Sequence, residues 1–585
     1  MSDARPRVLT CGGSAEEWLA FDGPEAVVET REPAGVRPAL EQAEDALRRG
    51  WWVAGYLSYE AAGGLDPSLP VDTRNPATAP LVWFGVFREP RRLRFPQLPR
   101  ALPYHVGGWT ATVGKERYRR GVEAIRRGIA RGDFYQVNFT FRLRSPFTGD
   151  PWGLFHDLFG SQRGAHSAWV DLGDLVICSA SPELFFCLAD GRICSRPMKG
   201  TTPRGRFGEE DDRLARALRG SSKDRAENLM IVDMVRNDLG RIAEPGSVRT
   251  TDLFTIERYD SLFQMTSGVV ARTDSNLAAI LAALFPAASI TGAPKSSAMA
   301  AIRQLEEGPR GVYTGAIGYG SPNGEARFGV AIRTVTVDRL RQEAVYGTGG
   351  GIVWDSRAQE EYDECATKAL LLTRPRPAFQ LLETLLWEPS GGYFLLDRHL
   401  RRLSESADYF GFRLVADEAR QALCHLGSRL ARRTRVRLLL DEDGSIQVEQ
   451  QPLEARVDPW TVALALRPVD SADRFLFHKT THREPYDRAR SGLPGDVADV
   501  ILWNEGRLLT EATRANLVIQ RQGRLLTPPR SCGLLAGTYR AELLERGVIV
   551  EEPLPVEALE SADQIFLVNS VRRRIPVRLL RPESE

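Results

Sequence analysis

SPELFF (Ser181–Phe186) and RPMKGTTPRG (Arg196–Gly205) flank a turn signal at Ala189-Asp190-Gly191, and together they predict a β-hairpin. A hairpin there brings the Glu183 carboxylate and the Lys199 amine together. Outward from it, β-like runs such as WWVAGYLSY from Trp51, LVWFGVF from Leu81 and RFGVAIRTVTV from Arg327 alternate with helical patterns such as KERYRRGVEAIRRGIARG from Lys115. This predicts a large mixed α/β or α+β unit. The pattern breaks at TRPRPAF (Thr373–Phe379), where alternating Arg-Pro favours an extended joint after the helical pattern that ends near Leu372. The expected division is a first domain over 1–372, a linker over 373–378 and a second domain over 379–585. In the second, LLETLLW and GGYFLLD suggest a strand pair, DRHLRRLSESADYFGF a helix, and RVRLLLDEDGSIQVEQ a hairpin turning at Asp443-Gly444.

A chain of 585 residues, 43% hydrophobic and 26% charged, has the make-up of a globular protein of several folding units, which excludes a disordered, collagen-like or coiled-coil whole. A formal charge of +1 gives no overall pull toward nucleic acid or anionic lipid. The seven cysteines form no C-x-x-C pair and read as reduced thiols. MSDARPRVLTCGG lacks an apolar signal core, and the apolar run Ala278–Leu284 is too short to cross a membrane, so the expected location is cytoplasmic.

Six lysines stand against 71 arginines: Lys115, Lys199, Lys223, Lys295, Lys368 and Lys479. An amine can lose its proton and act as a nucleophile, whereas a guanidinium in practice cannot, so each surviving lysine is a candidate for covalent work. Chance survival on the surface suits Lys115 and about half of the others.

Around Lys199, two more stretches contain special chemistry. SSKDRAENLMIVDMVRNDLG from Ser221 reads as a helix with Glu227 at its start, and GTGGGIVWDS from Gly347 precedes EEYDECATKALLL, where Glu361 and Glu364 share a helix face. A glycine cluster lets backbone N–H groups approach an anion, and carboxylates from two helices suit a hard cation such as Mg²⁺. Singly, each signal is weak: acids three apart are usually a solvated face and a glycine run is usually a turn. GTGGG lacks the dinucleotide pattern, and TGAPKSS lacks the P-loop pattern.

On RPMKGTTPRG, KDRAENLMIVDMVRNDLG, SITGAPK, YTGAIGY, AIRTV and GGGIVWDS, the stretch from about Trp51 to Thr373 resembles the chorismate-utilising enzymes. Within that family, the lysine of the K-G-T segment is similar to aminodeoxychorismate synthase component I, whereas anthranilate synthases have alanine there. The resemblance implies that Lys199 attacks chorismate covalently with Glu183 as general acid. It implies Mg²⁺ on Glu227 and Glu364 with Glu361 nearby, and substrate carboxylates held by Ser289, Arg333, Gly349 and Gly350. Relatives carry histidine in the segment aligned with SLFQMTSG, where Ser261 is taken to stand here. The expected ammonia source is a separate glutamine amidotransferase subunit.

Beyond the linker only Lys479 is a lysine, in FHKTTHREPYD, and Glu511 lies between apolar runs in LLTEATRANLVI. A lone buried glutamate needs a cation or a protonated base, such as a pyridinium nitrogen, although a surface lysine and a salt-bridged acid would be the ordinary reading. LLDRHLRRL, Lys479, TEATRANL and GLLAGTYR make Phe379 to Leu580 similar to class IV pyridoxal-phosphate enzymes. That implies pyridoxal 5′-phosphate on Lys479, its ring nitrogen on Glu511, and its phosphate near Arg402, Thr538 and Ser570, with Asn516 supporting the loop. His478 and His482 read as scaffold. The fold expected from both resemblances is α+β: a large two-sheet α/β sandwich followed by a smaller two-subdomain class IV fold. Fusion favours 4-amino-4-deoxychorismate lyase in the second domain, with an anthranilate-forming first domain, an aminotransferase second domain or a decayed scaffold as alternatives. A homodimer through the second domain is left open.

Overall fold

The computed structural model describes residues 7–73, 79–94, 101–373, 376–453, 459–492 and 497–580. Arg374 and Pro375 of the expected linker, and the first six residues, lie outside them. The chain divides into two compact units, residues 1–204 with 215–376, and residues 205–214 with 377–585.

Among the described residues, the first unit is built on one sheet of eleven strands and one of ten. Val8, Phe21, Val170 and Ile177 of one sheet pack with Ala54, Tyr56, Trp83 and Ile317 of the other, so the sandwich is closed by apolar faces that alternate along each strand. Helices cover the outer face of the ten-stranded sheet, where Ile231, Val232, Val235 and Leu239 of helix Ser222–Gly240 join the core. The predicted hairpin is present, with strands Leu184–Ala189 and Arg192–Arg196 antiparallel around Asp190 and Gly191, both at positive φ. The second strand bends at Pro197 and continues as Met198–Pro203, paired like its first part to Leu262–Arg272.

The second unit has a four-stranded antiparallel sheet under helices Leu396–Phe410 and Ala416–Gly427. Its other sheet has eight strands, six of which close into a ring because Leu509–Ala512 pairs with both Asp499–Trp503 and Ala515–Arg521. The hairpin turn at Gly444 is as expected. GGYFLLD differs: only Gly392–Tyr393 is strand, and Leu395 turns left-handed to start the next helix, with Asp397 in its first turn. A carboxylate there favours helix over a continued strand. No helix among the described residues is long and apolar enough to cross a membrane.

Candidate active sites

In the first unit Glu183 directly precedes the hairpin, and the bend at Pro197 turns the Met198 N–H onto its carboxylate. Ser289 Oγ donates to Glu183 Oε1 at 2.5 Å. Burial pushes the Glu183 carboxyl up to about 7, against those two hydrogen bonds and the attraction of Lys199. Lys199 is braced from its backbone, since Asn228 Nδ2 donates to its carbonyl at 3.3 Å and Ser267 Oγ holds Asn228 Oδ1 at 2.6 Å. Its Nζ lies 3.6 Å from Glu227 Oε2.

Glu183, Lys199, Glu227, Ser289, Arg333, Gly349, Gly350, Glu361 and Glu364 line one cavity of about 270 Å³. Glu364 is held below its usual range by Lys368, which it meets at 2.7 Å, and Glu361 is pushed upward by burial. No three His, Cys, Asp or Glu side chains among the described residues make a metal cage by themselves. Mg²⁺ keeps several waters and takes one or two carboxylates plus substrate oxygens, so the hard oxygens of Glu227, Glu361 and Glu364 on one cavity wall fit it without a cage. A larger cavity of about 860 Å³ lies across Tyr313 and Gly347, but its arginines 117, 144, 310 and 341 are already paired with acids.

In the second unit Lys479 sits where four charges converge: Arg402, Glu383, Arg483 and Glu511. Burial, aided by Arg402, lowers its pKa to about 8. Glu511 closes the strand ring opposite Asn516. It accepts from Tyr486 Oη at 3.0 Å, the Leu535 N–H at 3.1 Å and Asn516 Nδ2 at 3.1 Å, while burial pushes it up to about 8. A buried carboxylate raised this far calls for a protonated ring nitrogen, and a buried amine lowered this far suits covalent attachment, so the residues present fit pyridoxal phosphate.

Residues 5–374 match the chorismate binding enzyme family and residues 380–580 the class IV amino-transferase family. The chain belongs to the chorismate binding enzymes. Its first part is 38% identical over 318 residues to aminodeoxychorismate synthase component 1 of Salmonella typhimurium, covering 54% of this chain and 70% of that one. It is 39% identical over 268 residues to anthranilate synthase component 1 of Aquifex aeolicus, covering 46% of this chain and 54% of the relative. The crystal structure of anthranilate synthase component I from Streptococcus pneumoniae superposes with a TM-score of 0.54 at 27% identity, covering 61% of this chain and 92% of that chain.

In this chorismate binding enzyme, three of the residues singled out in the sequence make contacts that the sequence did not foreshadow. Ser261 is exposed in the turn between two strands, and Gln264 faces the cavity instead, donating to Gly200 O at 3.0 Å and accepting from Thr201 Oγ1. The segment enters its strand one residue after Ser261, so the cavity-facing position lies three further on. Ser289, expected on substrate, spends its hydroxyl on Glu183. Arg402, expected on phosphate, pairs through Nε and Nη2 with Glu383 at 2.8 and 2.7 Å. Burial opposes the charge on Glu383, but Arg402 and His399 outweigh it and hold this carboxyl near 2. Thr538 reaches the same cluster through His399 Nε2 at 3.2 Å, and Ser570 bonds Thr384 O, so the three expected phosphate residues surround Glu383-Thr384.

Sequence reasoning missed Gln136 and Gly351. Gln136 is wholly buried with both amide atoms lacking a partner, and a Cβ on Gly351 would stand 2.1 Å from Lys199 Nζ and 2.7 Å from Gln136 Nε2. The only available signal for Gly351 was its place as the third glycine of the run. Gly351→Ala should displace the Lys199 amine while leaving the fold intact, lowering turnover about 10²-fold at unchanged melting temperature. Gln136→Met, by contrast, should change stability: removing a buried amide with unmet hydrogen bonds should raise stability by about 1–2 kcal/mol in urea unfolding, while turnover falls.

Proposed function

We propose that the first unit aminates chorismate to 4-amino-4-deoxychorismate and that the second releases pyruvate from it to leave 4-aminobenzoate. The observation that carries this reading is the Lys199 amine held beside the Glu227 carboxylate, within the field of an acid, Glu183, whose pKa of about 7 suits proton donation. Lys199 Nζ bonds to ring carbon C2 as the ring double bonds shift and the C4–O bond breaks, with Glu183 delivering a proton to the departing hydroxyl. Ammonia then bonds to C4, and the C2–Nζ bond breaks to return the free amine. Arg333, whose guanidinium lines the cavity and donates to Lys368 O at 2.7 Å, orients a substrate carboxylate, as do the N–H groups at Gly349 and Gly350. Glu227, Glu361 and Glu364 would hold Mg²⁺, which supplies a positive charge against the substrate's own carboxylate.

In the second unit, Lys479 would hold pyridoxal phosphate and Glu511 its ring nitrogen; when bound, the cofactor supplies an electron sink for the bonds that break. Arg402, Thr538 and Ser570 would lie at its phosphate. Lys479 Nζ removes the proton at C4 of the substrate ring and returns one as pyruvate departs. A cytoplasmic location and ammonia from a separate glutamine amidotransferase belong to the same reading.

With chorismate, Mg²⁺ and pyridoxal phosphate, the purified chain is expected to form 4-aminobenzoate and pyruvate from ammonium and nothing from glutamine, read by chromatography against standards. 2-Aminobenzoate as the product would overturn the first step, and 2-oxoacid-dependent amino exchange without pyruvate release would overturn the second.

A further inference from the structure

Cys187 and Cys194 are seven positions apart, a spacing that matches no thiol motif, yet the hairpin register sets them directly opposite each other. Directly opposed residues of an antiparallel pair have Cα atoms about 4.5–5.5 Å apart, inside the 4.4–6.8 Å that a disulfide spans, so the bond needs no backbone movement. Both side chains are partly exposed. Cys194 Sγ makes a long contact of 4.0 Å to Ser195 O, and on its other side Cys187 stands opposite Arg327 of strand Ala326–Val330.

The pair is asymmetric. The neighbouring Cys194 thiol, with the charge of the Arg327 guanidinium, holds Cys187 below the usual thiol range. Cys194, facing that incipient thiolate, is pushed well above it. Cys187, directly opposite the Arg327 cation, is the sulfur placed to attack, and Cys194 across the hairpin is the one placed to resolve.

We propose that Cys187 and Cys194 are a redox modification site that hydrogen peroxide closes into a reversible disulfide. The Cys187 sulfur attacks one peroxide oxygen, an S–O bond forms as the O–O bond breaks, and the second oxygen leaves as water. The Cys194 sulfur then displaces the hydroxyl from the sulfenic acid, an S–S bond forms, and a second water leaves. Two electrons pass from the thiols to the peroxide, and both thiol protons end in water. The bond would clamp the hairpin that starts just after Glu183 and runs on through Pro197 to Lys199.

The test uses the full chain with Cys424→Ser, which removes the exposed thiol, treated with hydrogen peroxide and alkylated before tryptic mass mapping. The expected product joins peptide Gly164–Arg192 through Cys187 to peptide Ile193–Lys199 through Cys194, lighter by two hydrogens and reversed by dithiothreitol. In Cys194→Ser the Cys187 sulfenic acid should be trapped by a 1,3-diketone reagent, and in Cys187→Ser trapping at Cys194 should be at least tenfold slower. Free alkylatable thiols after peroxide, a sulfinic acid at Cys187 with Cys194 intact, or a link through Cys178 would each overturn the proposal.

Discussion

Lys199→Ala is expected to lower formation of 4-amino-4-deoxychorismate from chorismate and ammonium by about 10⁴-fold or more, the scale seen when a covalent nucleophile is removed. The variant should fold, because the side chain makes one ion pair, to Glu227 at 3.6 Å, and its strand is braced through backbone atoms by Asn228 and Gln264. Lys199→Arg separates two roles. If the amine served only to balance Glu227, a guanidinium would restore turnover; if it attacks carbon, arginine should be as inactive as alanine. Activity of Lys199→Arg within tenfold of the parent would remove covalent catalysis from the scheme. Glu183→Gln should leave chorismate binding in place while abolishing the alkaline fall in rate centred near pH 7, since only the protonated carboxyl donates and burial sets its pKa there.

What the sequence made legible depended on how local the information was. The Glu183–Lys199 hairpin followed from one D-G turn between two apolar runs, and Lys479 stood out because arginine fills nearly every other cationic position. Gln136 carries no such mark. Its meeting with Lys199 depends on the pairing of Val137 with Ile352, more than two hundred residues apart. Ser261, read as standing where relatives have histidine, lies in the turn just before its strand, and which residue of that strand faces the cavity, here Gln264, depends on where the strand begins. Glu383 is one acid within the strand LLETLLW, and only folding brings it between His399 and Arg402. Short-range chemistry was visible, whereas register and helix-to-strand contacts were not.

The second large effect is expected at Lys479. Lys479→Ala should stop the chain at the aminated intermediate, so that 4-amino-4-deoxychorismate accumulates mole for mole with chorismate consumed while pyruvate release falls by at least about 10²–10⁴-fold, the usual contribution of a positioned proton-transfer group. The first unit's rate should be unchanged, which distinguishes this outcome from misfolding. The surroundings of the same amine lead to a second expectation. Burial disfavours its charged form and Arg402 repels it, so the folded pKa of about 8 lies below the ordinary 10.5. Between those two values the unfolded chain binds more protons than the folded one, so the destabilising contribution of this group is full below about 8, shrinks as pH climbs from 8 to 10.5 and is gone above that. Attachment of pyridoxal phosphate, followed by its visible absorbance, should become faster as pH rises through 8, because the neutral amine is the reacting form. Arg402→Lys keeps a cation beside Lys479 and should leave that midpoint near 8, while Arg402→Met removes the repulsion and should move it upward. A midpoint at 10 or above in the parent protein would mean that Lys479 is solvated, and the second site would lose its covalent anchor.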